Sequence, residues 1–298
     1  MIIDGRTRPA GVVGWPIEHT LSPAMHNAAY EELGLNWVYL PFAVPDQGAL
    51  VRFADAARAV SFVGFNVTMP YKRAILELCD EVAMLAQMAG AVNTVHCSEG
   101  RLIGYNTDSR GLLESLSDEA GFSLEGRRIV LLGAGGAAGA AVAAFVLGKA
   151  AHLTIVNRDV ERAEGLKERV SRYLRGMEVD TTSPGDGAED AIHSADLVVN
   201  ATPLGMKPDD ESPVPVEWLR AGLTVYDMVY SARPTALLRG AEAAGAHALG
   251  GLGMLVAQGA LAIDIWSENA QSRAPRTTMR AAAEAAMRRS EAEGGGTV

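Results

Sequence analysis

The sequence predicts an α/β fold in two domains, and three observations carry that prediction. Short aliphatic and β-branched runs, bounded by turn residues, alternate with helical stretches along nearly the whole chain, as in sheets covered by helices. Near the middle, the strand Arg128–Leu132 enters Gly133-Ala134-Gly135-Gly136-Ala137-Ala138 and then an alanine-rich helix to residue 147. Several strands and helices precede that segment, so it opens a second α/β unit.

The glycines let the backbone turn sharply and approach a ligand closely. The first-turn amides of the helix would point at whatever lies over them, and the positive helix end favours an anion such as pyrophosphate. With the strand His152–Val156 following, the segment completes a βαβ unit and matches the dinucleotide fingerprint, Ala138 taking the last small position. The second domain is therefore expected to be of Rossmann type. Where an acidic residue would bind the ribose hydroxyls of NAD, this chain has Asn157-Arg158, with Arg162 one turn on. Guanidinium groups attract a 2′-phosphate, against which Asp159 and Glu161 stand, and NADP is the expected cofactor.

The 298 residues suffice for two cores, and 48% hydrophobic with 21% charged residues is ordinary globular composition. A net charge of −10 without a basic stripe argues against nucleic acid or an acidic membrane as partner. Cys79 and Cys97 are too few for a disulfide framework and lack metal-ligand spacing, so no metal is expected. No run is long enough to span a bilayer, and the first residues lack the apolar stretch of a signal peptide. A cytoplasmic protein acting on a small molecule, as monomer or homodimer, is the expectation.

In chain order, residues 10–14 form a strand and Ser22-Pro23 opens a helix to Leu33, with Ser22 as its cap. Thr20 has no such structural duty. Residues 37–42 read as a strand, 46–59 as a helix, and 62–67 as a strand ending in Thr68-Met69-Pro70-Tyr71-Lys72. Ligands collect at the carboxyl ends of strands in such sheets, where Asn66, Thr68 and Lys72 would lie. Residues 91–95 and 102–106 read as strands joined by a turn at Glu99-Gly100. Thr107 and Asp108 would cap the next helix, which begins near Ser109. A helix is expected over 160–174, a loop over 181–189, and strands over 196–199 and 224–228. In the helix over 254–266, Gln258 is a polar residue on an apolar stripe and needs a partner, for which a ligand's hydroxyls would serve. A last helix runs over 278–290, and the glycine-rich residues 291–298 read as disordered.

Together, several segments resemble the shikimate dehydrogenase family. They are Gly14-Trp15-Pro16-Ile17 with His19-Thr20-Leu21-Ser22-Pro23, Asn66-Val67-Thr68-Met69-Pro70-Tyr71-Lys72, Gly90-Ala91-Val92-Asn93-Thr94 and Asn106-Thr107-Asp108. The glycine loop with Asn157-Arg158, Asn200-Ala201-Thr202-Pro203-Leu204-Gly205-Met206, Tyr226-Asp227-Met228-Val229-Tyr230, and Gly253-Met254-Leu255 with Gln258-Gly259-Ala260 complete the set. The resemblance implies a substrate domain of residues 1–107, completed by helices within 256–298, and an NADP domain of residues 108–255. It also implies NADP-linked interconversion of 3-dehydroshikimate and shikimate. Thr20, Ser22 and Tyr230 would hold the substrate carboxylate. Asn66, Thr68, Asn93 and Gln258 would contact ring hydroxyls, and Lys72 and Asp108 would be the catalytic pair. Gly133, Ala134, Gly135, Gly136, Ala137, Asn157, Arg158, Arg162, Thr202, Met228, Gly251 and Met254 would line the cofactor.

The chain departs from the family pattern at Thr20 (usually serine), Ser109-Arg110 (usually glycine after the aspartate), Tyr71 (commonly Phe) and Ile263 (commonly aromatic). Hydride transfer to a ketone develops charge on oxygen, which a positioned lysine can stabilise and protonate while a carboxylate holds it. Taken singly, Lys72 reads as solvated and Asp108 as a cap; His19 has no partner and reads as structural. A quinate or aminoshikimate dehydrogenase is the close alternative, and a non-catalytic nucleotide sensor the distant one. A sensor has no reason to keep both Lys72 and Asp108. A tetrahydrofolate dehydrogenase of similar plan would leave the paired hydroxyls of Thr20 and Ser22 unexplained.

Overall fold

The computed structural model describes residues 2–268 and 273–292. The first sheet holds β1 (Arg8–Gly14), β2 (Trp37–Ala43), β3 (Gly64–Val67), β4 (Glu81–Val82), β5 (Thr94–Ser98) and β6 (Arg101–Tyr105), in the order β2-β1-β3-β5-β6-β4. β1, β2 and β3 run parallel, while β5 is antiparallel to both its neighbours. Side chains alternate across β1. Ala10 and Val12 join a core with α1 (Ser22–Leu33), α9 (Leu252–Ser267) and α10 (Arg276–Ala292). Val13 joins another with α2 (Gln47–Ala59) and the short α3 (Met84–Ala89).

The second sheet is wholly parallel: β7 (Arg128–Leu132), β8 (His152–Val156), β9 (Glu178–Thr182), β10 (Leu197–Asn200), β11 (Thr224–Asp227) and β12 (His247–Gly250), in the order β12-β11-β10-β7-β8-β9. That is the doubly wound order, with its switch point between β7 and β10. Ile129 and Leu131 face α4 (Asp108–Ala120), α5 (Gly136–Leu147) and α6 (Val160–Val170), while Val130 and Leu132 face α7 (Ala188–His193) and α8 (Ala236–Ala243). The fold is thus two α/β domains, the second of Rossmann type. Among the described residues, no helix is long and apolar enough to cross a membrane.

Several local expectations fail for identifiable reasons. Ser22 does not cap α1. Leu21 is the cap, Ser22 is the first helical residue, and its N–H is taken by the Thr20 hydroxyl at 3.3 Å, so Thr20 does have a structural duty. Thr107 stands at the N-cap of α4 but makes no side-chain capping bond there; Asn106 Oδ1 instead accepts from Ser109 N at 3.2 Å and Oγ at 3.1 Å, and Asp108 is the first helical residue. The expected loop over 181–189 is shorter, because β9 ends at Thr182 and α7 begins at Ala188. The helix over 160–174 ends at Val170 and passes into a 3-10 turn. β5 begins at Thr94, leaving Asn93 just before the strand. The last helix extends to Ala292, so residues 291 and 292 are helical and the rest of the expected tail lies outside the described residues.

Two packing details yield tests. A Cβ on Gly139 in α5 would lie 2.2 Å from the Ala89 carbonyl oxygen of α3, a backbone atom that cannot swing aside. Alanine ordinarily improves a helix interior, but here Gly139→Ala is expected to cost about 1–3 kcal/mol through overpacking. Urea unfolding checks it, and a midpoint at or above that of the unaltered protein contradicts it.

His26 is fully buried, stacked on Tyr39 at 4.0 Å between ring centroids. A carbonyl only accepts, so Nδ1 carries the proton donated to Ser22 O at 2.9 Å, and Nε2 has no protein partner. Burial lowers its pKa from 6.5 to about 4. The unfolded chain then binds the extra proton, so stability rises with pH across 4 to 6.5 and is lost on acidification, by roughly 3 kcal/mol at pH 4. His26→Phe should flatten the slope of unfolding free energy in that window by about one proton; an unchanged slope contradicts the assignment.

Candidate active site

The loops after β1 and β3 are fastened to each other. Trp15 N donates to Met69 O at 3.1 Å, and Thr68 N to Val13 O at 2.9 Å. Gly14 permits this, since a Cβ there would fall 2.3 Å from Thr68 Cγ2. The hydroxyl that Tyr71 adds over phenylalanine is satisfied by Val44 O at 2.7 Å. Val92 N donates to Lys72 O at 2.8 Å, fixing the lysine backbone beside Asn93.

At the mouth of this region Lys72 Nζ lies 2.7 Å from Asp108 Oδ2, with Asp108 buried and Lys72 reaching partly to solvent. The other carboxylate oxygen accepts from Asn93 Nδ2 at 2.8 Å. Asn93 Nδ2 also lies 2.9 Å from Thr107 Oγ1 and 3.3 Å from Gln258 Oε1, while Gln258 Nε2 donates to Leu255 O at 2.8 Å. Lys72, Asn93, Asp108 and Gln258 are thus one hydrogen-bonded group, drawn from a loop, a strand entry, α4 and α9. Asn66 stands behind it, its amide engaged by Asn93 O, Thr94 Oγ1 and the Tyr39 hydroxyl. Lys72 keeps ammonium protons beyond the one given to Asp108, which suits it to deliver a proton to a substrate oxygen beside it.

Thr20 and Ser22 flank Leu21, which packs in the same core as Tyr230, the residue that follows β11 and the loop end Met228-Val229. Burial pushes the Tyr230 phenol up to about 12, so it stays a neutral donor. The loops bearing Thr202 and Met228 are held by a buried pair. Asn200 Oδ1 accepts from Thr202 N at 3.0 Å and Oγ1 at 2.7 Å, and Asn200 Nδ2 donates to Asp227 Oδ1 at 2.9 Å. Asp227 also accepts from Val229 N and the Thr235 hydroxyl; burial raises its pKa while these bonds oppose the rise.

The glycine loop fits a pyrophosphate. Gly133 has φ +104°, a conformation that side chains rarely adopt, and its Cβ position faces Thr202 across the switch point. Cβ atoms at Gly135 and Gly136 would meet no protein atom within 4 Å, and no side chain caps α5, so the first-turn N–H groups after Gly135 are available to an anion. Ala134 and Ala137 complete that turn. Gly251 lets α9 start against Met228, whose carbonyl oxygen would be 2.3 Å from a Cβ there, and Met254 lies one turn on. At the end of β8, Asn157 Nδ2 donates to Asp159 O at 2.6 Å, and exposed Arg162 pairs with Asp159 at 3.1 Å, while Arg158 is exposed beside them.

The sequence gives no signal for Tyr39, and it places Thr94 and Thr107 only within their motif segments, Thr107 with a capping role, without the bonds that they make here. Their part depends on the β3–β5 register, which sets Asn66 opposite Thr94 and has no local signal.

Family models for the shikimate dehydrogenase substrate binding domain and for shikimate / quinate 5-dehydrogenase match residues 12–95 and 115–205. A shikimate dehydrogenase (NADP(+)) of Methanopyrus kandleri is 46% identical over 274 residues, 89% of this chain and 92% of that protein. A crystal structure of a shikimate dehydrogenase in complex with NADP+ is similar at TM-score 0.89 and 38% identity, covering 96% of this chain and 98% of that one. Shikimate 5-dehydrogenase from Listeria monocytogenes, solved with shikimate and NAD, gives TM-score 0.86 at 36% identity over 94% and 97% of the two chains. With the hydrogen-bonded group around Lys72 and the glycine loop in place, these matches identify the chain as a member of the shikimate dehydrogenase family.

Proposed function

We propose that this chain is an NADP-dependent oxidoreductase that interconverts 3-dehydroshikimate and shikimate, a step on the way to chorismate and the aromatic amino acids. The observation that carries the reading is the Lys72–Asp108 pair, held by Asn93 beside Gln258 at the carboxyl end of the first sheet. The nicotinamide supplies or accepts the hydride. Lys72 gives a proton to the carbonyl oxygen as charge develops there, and takes it back in the reverse direction. Asp108 keeps the ammonium in place and shares the hydroxyl of the product. Asn93 and Gln258 offer polar atoms to neighbouring ring hydroxyls, with Thr68 at the loop after β3. Asn66 acts from behind, since its amide already serves three protein partners. Thr20, Ser22 and the Tyr230 phenol hold the substrate carboxylate.

Gly133, Ala134, Gly135, Gly136 and Ala137 would hold the cofactor's pyrophosphate, and Thr202, Met228, Gly251 and Met254 would line its nicotinamide half. Arg158 would be the first guanidinium to hold the 2′-phosphate, because that of Arg162 is shared with Asp159. We assign residues 1–107 with 256–298 to the substrate domain and 108–255 to the cofactor domain. The protein is assigned to the cytoplasm, in keeping with its two free thiols, as a monomer or homodimer. The added methyl of Thr20, beside the substrate carboxylate, is the feature on which the choice among shikimate, quinate and amino analogues turns, with quinate or an amino analogue as the second reading.

Initial rates of coenzyme reduction with shikimate and with quinate, each with NADP and with NAD, test both points. Shikimate with NADP is expected to give the highest kcat/KM, and NADP to exceed NAD by about 10- to 100-fold, as one charge-assisted contact supplies. Preference for quinate moves the substrate to the second reading, and equal use of NAD removes the role given to Arg158.

A further inference from the structure

The direction of each hydrogen bond behind the site follows from groups that have only one role. The Thr107 N–H can only donate, so the atom 2.8 Å from it is the Asn93 oxygen. The Asn93 carbonyl can only accept, so the Asn66 atom 3.2 Å from it is nitrogen. Asn66 Oδ1 therefore faces the Tyr39 hydroxyl, which donates to it at 2.7 Å. The other proton of Asn66 Nδ2 goes to Thr94 Oγ1 at 3.0 Å. Thr94 in turn directs its own proton to Asn93 Oδ1 at 3.1 Å, and Thr107 Oγ1 stands 3.1 Å from it. Thr94 and Tyr39 are fully buried, so no water replaces a missing partner at either hydroxyl.

We infer that Thr94 is a positioning residue: with Tyr39 at the far end, and beside the Thr107 N–H and hydroxyl that also donate to Asn93 Oδ1, it holds the Asn93 amide in the one orientation that donates to Asp108. Reversing that amide would set its oxygen against the carboxylate and leave the Thr107 N–H facing a donor. Through Asn93, Thr94 thus sets the carboxylate that holds Lys72, without touching substrate. This rests on the reading of Lys72 and Asp108 as the reacting pair.

Thr94→Val keeps the β-branched shape on β5 and removes the hydroxyl, while Thr94→Ser keeps the hydroxyl. Thr94→Val is expected to lower kcat about tenfold and raise KM for shikimate several-fold, with KM for NADP unchanged, and Thr94→Ser to restore both. Native kinetics in Thr94→Val, or a loss that Thr94→Ser does not restore, overturns the inference. Crystal structures of both variants give a readout independent of turnover. The Asn93 Nδ2–Asp108 Oδ1 separation, 2.8 Å here, should lengthen past hydrogen-bond range in Thr94→Val and return in Thr94→Ser; an unchanged separation overturns the inference. If the unaltered protein fails to turn over shikimate, the functional reading falls, and these structures alone decide the positioning role. Should Thr94→Val not fold, Tyr39→Phe probes the same chain of bonds from its other end. A smaller loss with the same KM pattern is expected, and native kinetics overturns the inference.

Discussion

Asn93 carries a buried amide whose two ends cannot be exchanged. A backbone N–H from Thr107 claims the oxygen, so the nitrogen faces Asp108. The carboxylate then takes one donor from Asn93 and another from Lys72, and has little freedom to turn. The surrounding structure serves that arrangement. The antiparallel β3–β5 pairing sets Asn66 against Thr94, Val92 fixes the Lys72 backbone, and α4 begins at Asp108 so that its positive end lies beside the carboxylate.

The two domains meet at the same place. α4 leaves the first sheet through Asp108, and α9 returns to it through Gln258, so both connections enter the site. They are joined closely: a Cβ on Gly111 of α4 would sit 3.1 Å from Gln258 Cβ, and Gly139 of α5 lies under α3. Ion pairs from α10 to α4, Arg276 to Glu114 at 2.6 Å and Arg280 to Glu119, strap the outer side of the joint. The glycine loop leaves β7 at its switch point with β10, the place where a doubly wound sheet takes its ligand.

The long elements and the glycine loop were legible because parallel strands buried on both faces read as continuous apolar runs, and the turn at Gly133 needs a residue that tolerates φ +104°. The short α3, α7 and β12 were not, since four to six residues barely establish a period. Ser22 and Thr107 are good capping residue types, yet Leu21 takes the cap position of α1, and Thr107, at the cap of α4, leaves the capping bond to Asn106. Lys72, Asp108, Asn93 and Gln258 could be singled out by motif and by the cost of burying a lone polar group. Tyr39 and Thr94 could not, because their partners are fixed by strand register rather than by neighbouring sequence.

The most direct test of the Lys72–Asp108 assignment is the turnover of Lys72→Ala with shikimate and NADP, measured beside its affinity for NADP. The account predicts that kcat falls by about 10²–10⁴ while NADP binds as before, since the lysine supplies the proton and does not hold the cofactor. Retention of near-native turnover would contradict the account, whatever the variant's affinity for NADP.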